Sequence, residues 1–199
     1  MDIAFGLIYL IFGLLIGSFL NVCIYRIPRK ESIAFGRSHC TTCNEPIKAY
    51  DLIPVVSFLF LRGKCRKCGS KISARYPLIE TLTGVLFLLS YLFFGLTLKS
   101  VLFCAFFAVL VVLSLIDFDT QEIPNRLIIA IAALAAAAVF VEPEISIWSR
   151  VIGFFIVSVP ILLLVLLGGM GGGDLKLMAV SGFLLGAKLI VVAALFGVL

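Results

Sequence analysis

Six long apolar runs limit the structures that this chain can form. A membrane-spanning helix needs about 20 mostly apolar residues. Windows that meet or approach this length, two of them short, lie at about residues 3–25, 77–97, 100–116, 127–141, 150–167 and 175–199. Only 14% of the residues are charged, whereas soluble domains carry about a quarter. We therefore predict an all-α integral membrane protein, a polytopic helical bundle of about six spans.

The positive charges are concentrated in one segment, which predicts the orientation of the chain. Of the 16 lysine and arginine residues, 11 lie between Arg26 and Arg75. Cytoplasmic loops carry the excess of lysine and arginine, so this segment is predicted to be cytoplasmic and the N-terminus to lie outside. The spans then bring Asp117, Asp119 and Asp174 to the cytoplasmic side. Attraction to anionic lipid accounts for the net charge of +5, so no nucleic-acid partner is expected.

The same pattern divides the chain into three parts. Residues 1–25 form the first transmembrane helix rather than a cleaved signal peptide, because Asp2 precedes the apolar run and a basic cluster follows it. Residues 26–76 form a small cytoplasmic loop domain. Residues 77–199 form the remaining transmembrane core.

Two CxxC motifs lie in the cytoplasmic loop, CTTC at 40–43 and CRKC at 65–68, with 21 residues between them. Four thiolates in such a pattern are typical of a tetrahedral Zn²⁺ site, and four sulfur ligands leave no open position for catalysis. We therefore predict a structural zinc site formed by Cys40, Cys43, Cys65 and Cys68. Two disulfides are the alternative, although a reducing cytoplasm disfavours them.

The remaining cysteines and the single histidine are assigned simpler roles. Cys23 and Cys104 lie within apolar runs, where a thiol packs as a small apolar side chain. His39 is adjacent to Cys40 and could replace a cysteine ligand, but a solvent-facing loop residue is the simpler interpretation.

Acidic residues mark two loops at the predicted cytoplasmic boundary. Asp117 and Asp119 end one apolar run, and Pro124 then favours extended backbone before the next helix starts. In the other loop, the glycines at 171–173 permit the close approach of a helix that starts at Asp174. As a helix N-cap, Asp174 would have a purely structural role.

Carboxylates from the two loops also suit a catalytic pair. Two carboxylates that meet in a partly dry site share one proton, since both cannot ionise easily. One can then accept a proton from water while the other polarises a carbonyl oxygen, which is the chemistry of an aspartic protease. No serine, cysteine or histidine arrangement competes, because the only histidine lies in the loop. The sequence therefore favours an aspartic protease at the membrane boundary.

Several motifs resemble those of one known family. GGGD at 171–174 resembles the Gly-x-Gly-Asp motif of membrane aspartic proteases, and IDFDTQEIPN at 116–125 resembles the first-aspartate motif of bacterial type IV prepilin peptidases. GSFLNVCIYRIP at 17–28, the paired CxxC motifs and ISARYPLIE at 72–80 are similar to the same family. These motifs extend from the first span to the last, in the order found in the branch that combines leader peptidase and N-methyltransferase.

The resemblance implies roles for individual residues. Asp117 and Asp174 would form the catalytic pair, because Asp117 stands seven residues before Pro124 as the family's aspartate does. Asp119 would be a solvated loop charge. Residues that would support the active site are Gly171, Gly173, Pro124 and Asn125.

The resemblance also implies substrates and a cofactor. The substrate would be the short basic leader of prepilins or pseudopilins, cut on the cytoplasmic side of the bacterial inner membrane, after a glycine and ahead of a hydrophobic helix. A second activity, methylation of the new N-terminal residue with S-adenosylmethionine, is implied by the resemblance alone.

Three polar residues near the inner ends of the first two spans are further candidates. Glu80 lies a few residues into the second span, and Asn21 and Arg26 lie at the inner end of the first. All three could line a cavity that binds substrate or cofactor, because a carboxylate can bind a cationic leader or a sulfonium. We nevertheless expect a Glu80–Arg26 ion pair that locks two helices together.

Two other functions are weighed against the protease. An ion-coupled transporter uses glycine-broken helices and intramembrane carboxylates, but near the bilayer midplane. A non-enzymatic assembly scaffold would present its zinc loop to partners. The chain also ends at Leu199 inside the apolar run VVAALFGVL, whereas members of the family that it resembles continue through additional spans. From that departure we expect a truncated chain or, in a complete one, less enclosed active-site helices.

Overall fold

The computed structural model describes the backbone of residues 2–198 and the side chains of residues 2–195. Regular structure in this part of the chain is helical, apart from two isolated β-bridges. The elements are α1 (Ile3–Arg26), a 3-10 helix (Ala49–Leu52), α2 (Val56–Phe60), α3 (Arg75–Phe94), α4 (Leu98–Thr120), α5 (Asn125–Val141), α6 (Ile147–Leu166) and α7 (Gly172–Val198). Leu199, where either a truncation or less enclosed active-site helices were expected, lies outside the described residues.

Five of the described helices are long and apolar enough to cross a membrane, namely α1, α3, α4, α6 and α7. The α5 helix is also apolar, but it has only 17 residues. It coincides with one of the two short predicted windows. The predicted all-α polytopic class is therefore confirmed, with five full-length spans and one shorter apolar helix.

The chain divides into two compact units, Met1–Phe118 and Asp119–Leu199. In the first unit α1 packs against α3 along a seam of small residues. A Cβ atom placed on Gly13 would lie 2.8 Å from the Cα of Gly84, and one placed on Gly17 would lie 2.7 Å from the Cα of Glu80. These distances leave no room for a side chain, so glycine allows the two backbones to touch.

Both isolated cysteines lie in the interior of the first unit. Cys23 of α1 and Cys104 of α4 are buried free thiols, which confirms the prediction that they pack as apolar groups. A hydrogen bond of 2.7 Å between the hydroxyl groups of Tyr9 and Ser100 connects α1 to α4.

In the second unit α7 packs against both α5 and α6. A Cβ atom on Gly153 of α6 would lie 2.4 Å from the carbonyl oxygen of Gly182, and one on Gly182 of α7 would lie 2.1 Å from the carbonyl oxygen of Gly153. A larger residue at either position would force the two helices apart.

A break interrupts α7 at Gly186, where φ is 77°. Because the backbone leaves the helical path there, the preceding carbonyl groups need partners from outside α7. Arg150 of α6 is fully buried and donates hydrogen bonds to the carbonyl oxygens of Phe183 and Leu184, at 3.4 and 2.9 Å. It also donates to two carbonyl oxygens at the C-terminal end of α5. One side chain thus connects three helices beside the break.

Candidate metal centre and candidate active site

Each CxxC motif forms a tight turn, and the two turns have the same hydrogen bonds. In the first turn the N–H of Asn44 donates to the carbonyl of Cys40 at 2.8 Å, and the N–H of Cys40 donates to the carbonyl of Glu45 at 3.0 Å. In the second turn the N–H of Gly69 donates to the carbonyl of Cys65 at 2.9 Å, and the N–H of Cys65 donates to the carbonyl of Ser70 at 2.8 Å. Asn44 and Gly69 both have positive φ, which asparagine and glycine tolerate best.

The four turn cysteines are positioned to hold a metal ion. The sulfur atoms of Cys40, Cys43, Cys65 and Cys68 all lie within 4.8 Å of one another. The Sγ atoms of Cys40 and Cys68 are 3.9 Å apart, and sulfurs around a tetrahedral Zn²⁺ with bonds of about 2.3 Å are about 3.8 Å apart. All four are free thiols, so the disulfide alternative is not realised.

The surroundings of Cys40 favour its thiolate form. The backbone N–H of Cys43, the hydroxyl of Ser70 and a second backbone N–H donate hydrogen bonds to the sulfur, and they lower the pKa of Cys40 to about 5. Since the thiolate is the form that binds a metal ion, these bonds favour ligation. The neighbouring His39 is exposed, and its Nδ1 lies 3.4 Å from the carbonyl oxygen of Arg37.

A cavity of about 630 Å³ lies between this loop and the adjoining ends of α1 and α3. Its walls include Asn21, Arg26 and Glu80, the three polar residues that the sequence indicated near the membrane boundary, together with Tyr25 and Tyr76. Small-molecule sites have volumes of about 300–1,000 Å³. The cavity therefore has room for a small organic ligand.

The predicted ion pair between Glu80 and Arg26 is not formed, because each side chain has nearer partners. The guanidinium of Arg26 donates to three carbonyl oxygens within residues 32–36, at 2.7 to 3.2 Å. The carboxylate of Glu80 accepts a hydrogen bond from the N–H of Val55 at 2.7 Å. The amide of Asn21 donates to one carbonyl in α1 and one in α3. Arg26 thus orders the turn after α1, while Glu80 holds the loop against α3.

The glycine-rich loop contacts the link between α4 and α5 within the second unit. A Cβ atom on Gly173 would lie 2.9 Å from the Cβ of Ile123, so the predicted close approach is confirmed. Beside it, the Nζ of Lys176 donates a hydrogen bond of 3.2 Å to the Oδ1 of Asn125. Gly173 and Lys176 therefore join the start of α7 to the start of α5.

The sequence suggested Asp174 as the N-cap of α7. This is wrong, because the helix begins two residues earlier, at Gly172. The carboxylate lies in the first helical turn instead, where the positive end of the helix dipole stabilises its charge. Its Oδ2 would be 3.4 Å from a Cβ atom on Gly171. The half-buried carboxylate therefore lies back over the glycine loop.

Asp117 and Asp119 lie at the end of α4, which stops at Thr120. Asp117 is half-buried and Asp119 is exposed. Pro124 has extended backbone angles and immediately precedes Asn125, the first residue of α5. The predicted helix end and restart is therefore confirmed.

Sequence reasoning missed two cations near these acidic residues. In the first unit the guanidinium of Arg75 donates to the carbonyl oxygen of Leu115 at 3.3 Å, two residues before Asp117. In the second unit Lys176 follows Asp174 by two residues and bonds to Asn125. Both are charges at the ends of apolar runs, where a cation usually has a partner, and that signal could have identified them.

Apolar spans, a four-cysteine loop and a glycine–aspartate loop define a polytopic membrane protein whose loop has four cysteines positioned to hold a metal ion. A family model described as the bacterial peptidase A24 N-terminal domain matches residues 11–94, and the model of the type IV leader peptidase family matches residues 104–199. The four cysteines lie in the first matched segment, and Asp117 and Asp174 lie in the second.

Individual relatives agree with these matches. The chain is 38% identical over 196 residues to a prepilin leader peptidase/N-methyltransferase of Bacillus subtilis (strain 168), a match that covers 96% of this chain and 78% of the relative. It is 37% identical over 225 residues to the protein of that name from Neisseria gonorrhoeae, covering 94% and 78%. For the Vibrio cholerae protein the identity is 34% over 208 residues, covering 96% and 81%. No solved structure matches. The chain belongs to the type IV leader peptidase family.

Proposed function

We propose that this protein is a membrane aspartic endopeptidase that removes the basic leader of type IV prepilins or pseudopilins at the cytoplasmic membrane boundary. Family membership supports the reaction class, and the names of the relatives support the substrate. The observation that carries the proposal is the glycine–aspartate loop, in which Gly173 has no room for a side chain against Ile123 and directly precedes the carboxylate of Asp174.

Asp117 and Asp174 are the proposed catalytic pair, supported by Gly171, Gly173, Pro124 and Asn125. The ionised carboxylate takes a proton from a water molecule as the water oxygen attacks the scissile carbonyl carbon, while the protonated partner donates a hydrogen bond to the carbonyl oxygen. When the tetrahedral intermediate collapses, the C–N bond breaks and the leaving nitrogen receives the proton that water had lost.

Cleavage of a leader-bearing pilin by membranes that contain each single variant tests this pair. Asp117→Asn and Asp174→Asn should each lower the cleavage rate by about a thousandfold or more, since each removes a group that transfers a proton. Asp119→Asn is the matched control and should cleave like the wild type at equal expression. Cleavage that persists in either of the first two variants would remove that residue from the pair.

Methylation of the new N-terminus is the second proposed activity, supported by the names of the relatives. When bound, S-adenosylmethionine supplies the methyl group. The proposed contacts for this cofactor or for the substrate are Asn21, Arg26 and Glu80, because they line a cavity of suitable volume and a buried carboxylate can bind a cation. Binding of labelled cofactor should weaken in Glu80→Gln if that carboxylate contacts it.

Zn²⁺ is the proposed metal of the four-cysteine centre, and its proposed role is structural. Four thiolates fill a tetrahedral shell and leave no open position for water or substrate. The purified protein should contain one zinc per chain, and Cys43→Ser should lower that content. The buried thiol of Cys104 supplies the control, since Cys104→Ser should leave the zinc content unchanged.

The proposed location is the bacterial inner membrane, with the N-terminus outside and the cysteine loop and both catalytic aspartates on the cytoplasmic side. In this proposal residues 1–25 anchor the loop, residues 26–76 hold the metal, and residues 77–199 form the protease core. The excess of positive charge between Arg26 and Arg75 supports that orientation.

The transporter and scaffold alternatives are not favoured, because the family match covers both aspartate motifs. A scaffold would lose its function through the cysteines while tolerating Asp117→Asn and Asp174→Asn. The cleavage experiment therefore distinguishes it from the protease.

A further inference from the structure

The charged cysteine loop contains an apolar run of its own. Residues 52–61 read LIPVVSFLFL, ten residues without a charge, between Asp51 and Arg62. The run includes α2 and the three residues that precede it, Ile53, Pro54 and Val55. An apolar stretch of about ten residues is too short to span a bilayer and is typical of interfacial or re-entrant segments.

This run lies beside the membrane-spanning part of α3 rather than away from it. The N–H of Val55 donates a hydrogen bond of 2.7 Å to the carboxylate of Glu80. Glu80 is the sixth residue of α3, which places it about 7.5 Å along the helix from Arg75. The loop therefore folds back along α3 past its first turn, to the level where the candidate span has already begun.

The backbone of Val55 indicates that this placement is enforced. Its φ is 60° and its ψ is −48°, and a β-branched residue with positive φ is a genuine outlier. Such a conformation persists only where the surroundings over-determine it. Here Pro54 is buried on one side of Val55, and the bond to Glu80 fixes its N–H.

The two faces of α2 differ in what they contact. Phe58 faces inward, because its ring lies 3.1 Å from the position of a Cβ atom on Gly63 and lines the cavity. The opposite face presents Phe60, which is 84% exposed, and Leu59, which is 67% exposed, together with Val56. Large apolar side chains that are exposed together in this way mark a surface that another apolar phase covers.

Positive charge follows directly after this apolar face. Arg62 and Lys64 are both exposed and lie at the end of the run, where the chain turns back toward the second cysteine motif. Apolar side chains beside lysine and arginine are the composition of segments that lie in the interface of membranes with anionic lipid.

We propose that residues 52–61 form an interfacial anchor, with the outward face of α2 inserted at the boundary between head groups and acyl chains. The partner is the lipid surface of the same bilayer that α1 and α3 cross. Phe60 and Leu59 enter the acyl region, and Arg62 and Lys64 contact lipid phosphate groups. The anchor fixes one wall of the cavity to the membrane.

Tryptophan fluorescence of the whole protein in lipid vesicles tests this anchor. Trp148 is the only native tryptophan, so Trp148→Phe gives a protein without tryptophan fluorescence, into which single tryptophans can be introduced. Phe60→Trp reports on the outward face, and Phe58→Trp is the matched control on the inward face. The vesicles contain phosphatidylcholine and phosphatidylglycerol, with or without bromine near the top of the acyl chains, and acrylamide is the quencher in water.

Brominated lipid should lower the fluorescence of Phe60→Trp by about twofold, because the indole lies in the interface. Brominated lipid should leave the fluorescence of Phe58→Trp nearly unchanged. Acrylamide should quench the tryptophan of either variant less strongly than it quenches free tryptophan amide. Leu59→Trp repeats the outward measurement if Phe60→Trp does not fold. Strong quenching of the outward tryptophans by acrylamide alone would overturn the proposal, since the face would then be in water. Protection from both quenchers would also overturn it, because protein would then cover the face.

Discussion

At the scale of single residues, neighbouring glycines in the loop before Asp174 have different tasks. Gly173 would place a Cβ atom 2.9 Å from the Cβ of Ile123, whereas a Cβ atom on Gly172 would meet nothing within 4 Å. The motif therefore contains one glycine that is needed for close packing and one whose position leaves space for a side chain.

Gly173→Ala should destabilise the protein by about 1–3 kcal/mol, because the methyl group forces Ile123 and the start of α7 apart. Movement of α7 displaces Asp174, so cleavage should fall by about tenfold or more. Thermal unfolding in detergent and the pilin cleavage rate measure the two effects. Gly172→Ala is the control and should resemble the wild type in both, so equal damage at the two positions would contradict the packing explanation.

Residue identities in the candidate site followed from the sequence more readily than residue contacts did. The aspartates, the glycines and the Pro124 break were visible as motifs, and the close approach at Gly173 follows from a run of small residues. The prediction of a Glu80–Arg26 ion pair was wrong, because the guanidinium of Arg26 instead binds carbonyl groups within ten residues of it in sequence. Such local backbone partners leave no signal in charge spacing.

At the scale of helices, the break in α7 depends on one side chain from α6. Arg150 donates to carbonyl oxygens of α7 on one side and of α5 on the other, and it is fully buried. If it were removed, carbonyl groups of the buried residues Leu184 and Ala138 would lose these partners.

Arg150→Leu should therefore lower the free energy of unfolding by about 3–5 kcal/mol, because several carbonyl groups lose a hydrogen bond and each loss costs about 1–3 kcal/mol. Thermal unfolding in detergent is the measurement, and Arg150→Lys should fall between Leu and wild type because one ammonium cannot reach all the carbonyl groups. Arg126 is exposed in the first turn of α5, so Arg126→Leu is the control. A wild-type unfolding temperature in Arg150→Leu would show that the break holds without this residue.

The cysteine loop gives a prediction about pH. Hydrogen bonds lower the pKa of Cys40 to about 5, below its ordinary value of about 8.5. A lowered pKa stabilises the folded thiolate at higher pH, and this stabilisation is lost as the pH falls through the folded value. Because protons compete with the metal ion for the thiolates, zinc should stay bound at neutral pH and be released in acid.

Zinc content after dialysis at a series of pH values measures this release. Ser70→Ala removes one of the hydrogen bonds to the sulfur, so the release should begin at a higher pH. An unchanged release curve in that variant would mean that the serine hydroxyl does not stabilise the thiolate.

Helix positions followed from the sequence because a lipid phase requires every backbone group to be bonded within its own helix. Two features were not predicted. The break at Gly186 was hidden because glycine is common inside transmembrane helices. The apolar run at 52–61 was hidden because the charges on both sides of it led us to assign residues 26–76 as a whole to a cytoplasmic loop domain.

At the scale of the whole molecule, the positive charge of the cysteine loop predicts which links face each compartment. The link between α5 and α6 should face outward, and the link between α4 and α5 should face the cytoplasm. Glu144 and Glu122 are exposed residues in these two links.

A membrane-impermeant maleimide applied to intact cells should label Glu144→Cys but not Glu122→Cys. The wild type, with its six native cysteines, supplies the background, and permeabilised cells should expose Glu122→Cys as well. Labelling with the opposite preference would invert the proposed orientation.

The two cysteine turns also set the earliest point during synthesis at which the proposed zinc loop can close. In the proposed zinc centre each turn supplies only two of the four sulfur ligands, so the shell cannot close until the second turn has left the ribosome. Cys68 is made only seven residues before Arg75, where α3 begins. In the proposed zinc centre, metal capture therefore becomes possible only shortly before the second span is synthesised, and a chain made without zinc would begin that span with its loop still unclosed.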